Sequence, residues 1–335
     1  MADNFTLSDG VWHDTLEYLC DEIFDFTTIN GFFFILIFIF SITGNGLLLC
    51  VLVFYENLKN ATNLFIFNLI CSDLAFTLTL PFWAIYYLHH WVFGDFFCKF
   101  VTAAYFVGVY SSVILLTAMT VDRFITVVLY NWSSTWLTRQ RYTIGACAGA
   151  WVISIAASLS NAINVQVETN MDNITTCEAS IDSHGDRVGY YLQVTLLFFL
   201  PFAIIVFCYS AILKTVLQAS NRRRYRTVVV ILCIVSAFFI CWGPYNMFLF
   251  IENFYEPQSC KAEERMETAY NVCRILAFSH CCMNPLLYVL SQKLRKHLSD
   301  LLSCKNVKRR HMERETGQNN SGFQNAMELS ANAFK

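Results

Sequence analysis

The sequence predicts an all-α integral membrane fold, a seven-transmembrane helix bundle, and three observations carry that prediction. Hydrophobic residues make up 56% of the chain and charged ones 14%, against about 25% charged in ordinary globular proteins. That charge density cannot cover a soluble surface, so the chain belongs in lipid. The apolar residues also gather into seven long runs, and the Lys and Arg residues collect on one side of them. A net charge of −2 conceals that segregation.

Crossing about 30 Å of hydrocarbon takes roughly 20 residues, and each run is long enough. The first, Gly31–Phe54, is uncharged and is expected to act as the insertion signal, since no basic n-region or cleavage site precedes it. The second, Ala61–Leu88, carries Asp73 and Pro81. The third, Phe100–Val121, follows Cys98 and ends at Asp122-Arg123-Phe124, and the fourth is Tyr142–Val167. The fifth, Val188–Leu213, holds Pro201, and the sixth, Thr227–Ile251, holds Pro244. The seventh, Thr268–Gln292, carries Arg274 and Pro285. Each is read as a helix, because only internal hydrogen bonding satisfies an open chain's backbone in lipid. A barrel would need many runs of about ten alternating residues, and none are seen.

Orientation follows from the basic residues. With the amino terminus outside, inner segments hold 18 of the 23 Lys and Arg residues and outer segments hold 5. The positive-inside rule then places the carboxyl terminus in the cytoplasm. The outer face carries a net −13 and the inner face +12, led by Arg222, Arg223, Arg224 and Arg226. Of 14 cysteines, Cys20, Cys98, Cys177 and Cys260 fall outside, where an oxidising compartment permits two bridges in any of three connectivities. Cys98 tops the third helix and Cys177 follows the fourth, while Cys20 and Cys260 precede the first and seventh, neighbours in a closed ring. Sequons at Asn4 and Asn173 also land outside. Three more, at Asn60, Asn131 and Asn319, land inside and carry no weight.

Asp73 and Arg274 are the only formal charges within the runs, and an ionisable group in lipid is a functional candidate. Asp73 is either a hydrogen-bonded interior acid or a cation or water-network site; position favours neither. Arg274 either snorkels outward or points inward as a fixed charge in a cavity. His280-Cys281-Cys282 suggests a metal, but neighbours on a helix point about 100° apart, so buried polar packing is the better reading. Pro81, Pro201, Pro244 and Pro285 are expected to interrupt helices, a device for bending.

Taken in order, the motifs resemble those of the rhodopsin-like G-protein-coupled receptors from about Gly31 to Cys304. They are Gly-Asn45-Gly, Leu-x-x-Ser-Asp73, Cys98 with Cys177, Asp122-Arg123-Phe124, Trp151, Pro201 with Tyr209, Cys241-Trp242-x-Pro244, and Asn284-Pro285-x-x-Tyr288. Within that superfamily, Thr79-Leu80-Pro81, Trp91-x-Phe93-Gly94 and Ser279-His280-Cys281-Cys282-Met283-Asn284-Pro285 resemble the chemokine receptors. Tyr55-Glu56, Trp242-Gly-Pro-Tyr-Asn246, Arg222–Thr227 and the spacing from Cys260 to Arg274 resemble the lymphotactin, or XC-type, branch. Departures are Arg274, where many chemokine receptors carry Glu as an anchor for a ligand amine, and Phe124, where Tyr is commoner.

The resemblance implies the remaining details. It pairs Cys98 with Cys177 and Cys20 with Cys260. It divides the chain into an acidic tail (1–30), the bundle (31–290), a short amphipathic eighth helix (291–304) and a cytoplasmic tail (305–335), with Cys304 the sole palmitoylation candidate. Ligand contacts fall on Trp83, Tyr105, Tyr245, Glu252 and Arg274. Asn45, Asp73 and Ser112 form a core polar, sodium-type site. Trp242 and Pro244 form a pivot, Tyr209 and Tyr288 make active-state contacts, and Asn284 and Pro285 belong to the same switch. Arg123, held by Asp122 at rest, meets a G protein. The partners implied are a chemokine, a heterotrimeric G protein of the inhibitory class, arrestin and membrane lipid.

The expected function is thus a plasma-membrane receptor that binds a small basic chemokine and drives calcium signalling and chemotaxis in an immune response. Residues 1–28 carry seven acids and no Lys or Arg, suited to steering a basic partner. Tyr18 lies among four of those acids, a setting for sulfation. The alternative is an atypical scavenging receptor that binds without coupling. A transporter would show internal repeats, and a light sensor would need a lysine in the seventh run. An amine receptor would carry Asp where Tyr105 stands. No enzyme, cofactor, metal or nucleic-acid motif is present.

Overall fold

A computed structural model describes residues 26–129, 136–169, 173–179, 195–218, 222–252, 255 and 259–289. Among them are nine α-helices: α1 (Thr27–Tyr55), α2 (Ala61–Thr77), α3 (Leu80–Leu88), α4 (Gly94–Val127), α5 (Trp136–Asn164), α6 (Leu200–Gln218), α7 (Arg222–Glu252), α8 (Cys260–Phe278) and α9 (His280–Val289). A two-stranded antiparallel hairpin, β1 (Val165–Thr169) and β2 (Thr175–Ala179), follows α5. Because α2 with α3 and α8 with α9 each make one interrupted rod, the helices form seven spans. α4 is central, packing on α2, α5, α6 and α7.

Among the described residues, five spans are long and apolar enough to cross a membrane by length and composition, and Leu200–Thr215 is a shorter apolar helix. The seventh span is the exception. It starts at Cys260, not Thr268, and its first turns carry Lys261, Glu263, Glu264, Arg265 and Glu267. Helical hydrogen bonding continues beyond the apolar limit because the extra turns need no lipid. Side chains such as Phe40, Phe54, Ile163, Phe207 and Ile240 are more than half exposed on the outside of the bundle. An apolar surface of that kind suits lipid rather than water.

The fourth span is displaced from the expected run, starting earlier, at Trp136, and ending earlier, at Asn164. Val165 and Val167 alternate with Gln166 and Glu168 and enter the hairpin, where β-branched side chains fit a pleated strand. Its register sets Val167 opposite Cys177, and Cys177 is bridged to Cys98 in the first turns of α4, with Cα atoms 5.8 Å apart. Trp91 is buried against this bridge. Its backbone N–H donates to Thr175 O at 2.8 Å and its Nε1 to Gly94 O at 2.9 Å. Gly94 has φ +77°, a conformation that only glycine adopts without strain.

The prolines behave differently from one another. Pro81 does break its span: it lacks an N–H for Thr77 O, and the chain steps through Leu78 and Thr79 between α2 and α3. Pro201 follows a π-helical turn, Thr195–Phe199. Pro244 and Pro285, by contrast, sit inside α7 and α9 without ending them. The expected interruption of the seventh span falls at Ser279 instead. Pro285 cannot donate to Cys281 O, four residues back. Asn45 Nδ2 from α1 takes that carbonyl at 2.9 Å, and Ser41 Oγ reaches it at 3.4 Å. Gly44 permits the approach, since a Cβ there would lie 2.9 Å from Pro285 Cβ.

The amino-terminal tail through residue 25, the expected eighth helix and the carboxyl-terminal tail lie outside the described residues. So do Asn4, Tyr18, Cys20 and Cys304.

Candidate functional site

At the disulfide end of the bundle a cavity of 380 Å³ opens between the spans. Trp83, Tyr105, Tyr245 and Arg274, four of the expected ligand contacts, line it together. Glu252 ends α7, and its side chain is outside the described residues. The hairpin contributes Val165 and Cys177 to the rim. Tyr86 Oη donates to Glu178 Oε1 at 2.8 Å, joining the second span to β2 beside the bridge.

Arg274 points inward, not toward solvent, and is 6% exposed. One terminal nitrogen donates to Tyr87 Oη, and the other donates to Asn271 Oδ1 at 2.6 Å. Asn271 Oδ1 also accepts from Asn30 Nδ2 at 2.7 Å, so the network ties the first, second and seventh spans. The guanidinium carbon lies 4.4 Å from the Tyr87 ring centroid and 4.9 Å from that of Tyr270, within cation–π range. Among the described residues no carboxylate pairs with it. Sequence reasoning missed Tyr87, Tyr270 and Asn30. Asn271 was within reach, since it sits three residues before Arg274 on the same helical face.

Aromatic rings floor the cavity. The His280 ring lies 4.8 Å from Phe76, 5.3 Å from Trp242 and 5.6 Å from Phe238, spacings typical of packed aromatic pairs. His280 Nδ1 bonds Ala277 O at 2.8 Å. Cys281 Sγ turns to Phe278 O while Cys282 Sγ turns to Ile37 O. The triplet is therefore polar packing, as its helical spacing implied. No group of three His, Cys, Asp or Glu residues that could hold a metal occurs among the described residues.

Below the rings, Asp73 is fully buried and its Oδ2 accepts from Asn284 Nδ2 at 2.6 Å. Ser112 Oγ is 3.4 Å from Asp73 Oδ1 and 2.8 Å from Ser72 Oγ. Asn45, the third expected member, bonds Ser41 and Cys281 O and makes no hydrogen bond with Asp73. Asp73, Ser112 and Asn284 form one cluster, and Asn45 serves the neighbouring proline. Trp151 Nε1 donates to Asn68 Oδ1 at 3.0 Å and pins the fourth span to the second.

At the opposite end, Asp122 meets a different partner from the expected one. Its two oxygens accept from Arg139 Nε at 2.9 Å and from Arg139 Nη2 at 2.6 Å. The cause is helical geometry: Arg123, the adjacent residue, projects about 100° away around α4. Arg123 instead neighbours Tyr209 of α6, which also faces Thr120. Tyr288 lies in α9, with its side chain outside the described residues. Arg139 carried no sequence signal, because its partner is set by how α5 packs on α4.

This bundle, with a bridged hairpin over a cavity and a buried acid beneath it, defines a class of membrane receptor. The profile described as "7 transmembrane receptor (rhodopsin family)" matches residues 44–288. The chain is 40% identical to "Chemokine XC receptor 1" of Mus musculus over 87% of its length and 88% of that protein's. It is 40% identical to the Homo sapiens protein of the same name, over 80% of this chain and 79% of that one. It is also 30% identical to "C-C chemokine receptor type 8" of Macaca mulatta over 95% of this chain and 94% of that protein. The chain belongs to the rhodopsin family of seven-transmembrane receptors and, within it, to the chemokine receptors on the XC-type side. It is a multi-pass membrane receptor, not an enzyme.

Proposed function

We propose that the chain is a signalling chemokine receptor of the plasma membrane, with its amino terminus outside and its carboxyl terminus in the cytoplasm. It captures a small basic chemokine with its acidic tail and seats part of that ligand in the cavity. It then activates a heterotrimeric G protein of the inhibitory class, with calcium signalling and chemotaxis as the result. Arrestin and anionic lipid would meet the same cationic inner face.

The observation that carries this reading is a succession of side-chain groups through the bundle. Arg274, Trp83, Tyr105 and Tyr245 line the cavity, and Trp242 and Phe278 line it too while packing against His280 or its neighbours. Below them lies the Asp73–Asn284 pair, and Arg123 stands beyond it beside Tyr209. A ligand shifts such a bundle only through unequal affinity for two arrangements, and here the ligand seat touches the Trp242–Pro244 pivot. Asp73 and Ser112 offer oxygen donors alone, which suits a small hard cation or ordered water in the moving core.

Transfected cells exposed to a panel of purified chemokines, with calcium and cAMP as readouts, test the proposal. One or a few chemokines should lower cAMP and raise calcium, and Arg123→Ala should abolish both while binding persists. Binding without any response in the native receptor would favour the scavenging alternative.

A further inference from the structure

We infer that the cavity selects a carboxylate, so the part of the protein ligand that enters it carries an Asp or Glu side chain rather than seating an amine. The inference rests on the proposed reading of the cavity as the ligand's seat, and it adds the chemistry of the group that binds there.

Two independent observations point the same way. The first is charge. Arg274 lines the cavity, is nearly fully buried, and is neutralised by no acid among the described residues. The tyrosine rings and the amide oxygen that hold it in place carry no negative charge. A buried charge of this kind favours an entering anion and repels an ammonium. Glu178, next to the rim residue Cys177, is exposed and bonded to Tyr86.

The second is hydrogen-bonding capacity. Arg274 Nε, Trp83 Nε1, Trp242 Nε1 and Thr102 Oγ1 are buried without partners, and all four residues line this cavity. The first three atoms can only donate, and the hydroxyl can donate as well. Among the described residues, no orphaned atom of a lining residue is restricted to accepting. Donors left without acceptors around the cavity add to the preference set by Arg274 once a ligand reaches them, and a carboxylate offers about four lone-pair sites with a charge matched to Arg274. A primary amine would bring more donors to a wall already short of acceptors. That mismatch leaves both partners unsatisfied and costs affinity.

The test uses the full-length receptor in nanodiscs of neutral lipid and three probes of equal size: 3-phenylpropionate, 3-phenylpropanamide and 3-phenylpropylamine. Dissociation constants come from saturation-transfer NMR titrations. The carboxylate should bind at least fivefold more tightly than the amide, with the amine weakest. Arg274→Gln should cut the preference for carboxylate over amide below twofold. Arg274→Lys, which keeps the charge, should retain more than half of that preference on a logarithmic scale. Trp83→Phe keeps a ring but removes one donor, and should weaken the carboxylate about threefold; it serves if Arg274→Gln does not fold. An amine that binds as well as the carboxylate overturns the inference and leaves the cavity as a ligand seat. So does a carboxylate preference that Arg274→Gln leaves intact. If no probe binds, the inference and the reading beneath it fall together.

Discussion

Arg139 of α5 sets Nε and Nη2 on the two carboxylate oxygens of Asp122 in α4, at 2.9 and 2.6 Å. The pair is partly shielded, with side-chain exposures of 32% and 13%. It ties the third span to the fourth at the end where Arg123 lies. Two parallel charge-assisted bonds are stronger and more directional than an ordinary surface ion pair.

Asp122→Ala and Arg139→Ala should each lower stability by about 1–2 kcal/mol, since each strands the other charge. The double variant should lose little more than either single one, giving a coupling of about 1 kcal/mol. Thermal unfolding in detergent measures all three. Strict additivity would show that the clamp contributes nothing.

Three glycines make an internally controlled set. Gly108→Ala places a Cβ 2.7 Å from Phe76 Cβ and 2.8 Å from its backbone N, between α2 and α4. Overpacking there should cost about 1–3 kcal/mol. Gly94→Ala meets no atom within 4 Å but must hold φ +77°, a strain of about 1–2 kcal/mol. Gly46→Ala has open space within α1 and should be neutral or stabilising by up to about 1 kcal/mol. Unfolding midpoints should rank Gly46→Ala highest and both of the others below the parent.

Cys260 is disulfide-bonded and is absent from the free cysteines of the described residues. Peptide mapping of non-reduced protein should recover Cys98 with Cys177 and Cys20 with Cys260. Recovery of Cys20 as a free thiol would overturn the second pairing.

Removing residues 1–17 deletes four of the seven acids in the tail and spares Cys20. Carboxylates spread along a tail act mainly at encounter, and salt screens them beyond about 8 Å. The truncated receptor should lose affinity for its chemokine chiefly through a slower on-rate, with a flatter dependence on salt. Arg274→Glu should behave differently, leaving part of the binding but abolishing activation. Rate constants at two ionic strengths separate the two. An unchanged on-rate and salt slope after truncation would leave the tail a mere linker.

What the sequence by itself determined is the part of the fold that lipid enforces. Length and apolarity decide where a helix can cross, so the runs around Phe40, Leu69 and Leu115 stand out without any structure. The cost of charge in lipid makes Asp73 and Arg274 conspicuous, and missing N–H groups mark Pro81 and Pro285. Ordered motifs added the family, and with it Trp83, Tyr105, Tyr245 and Arg274 as cavity residues. Tertiary structure alone decided which side chains meet. Asn45 turned out to serve the carbonyl that Pro285 strands, Asn271 to bridge Asn30 and Arg274, and Arg139 to displace Arg123 as the partner of Asp122. Those meetings depend on how far each helix is rotated about its own axis. A soluble helix records its rotation as an apolar stripe facing the core, but a span that is apolar on both its lipid and its core faces records almost none. Packing between spans sets that angle instead, through close approaches such as Gly44 on Pro285 and Gly108 on Phe76.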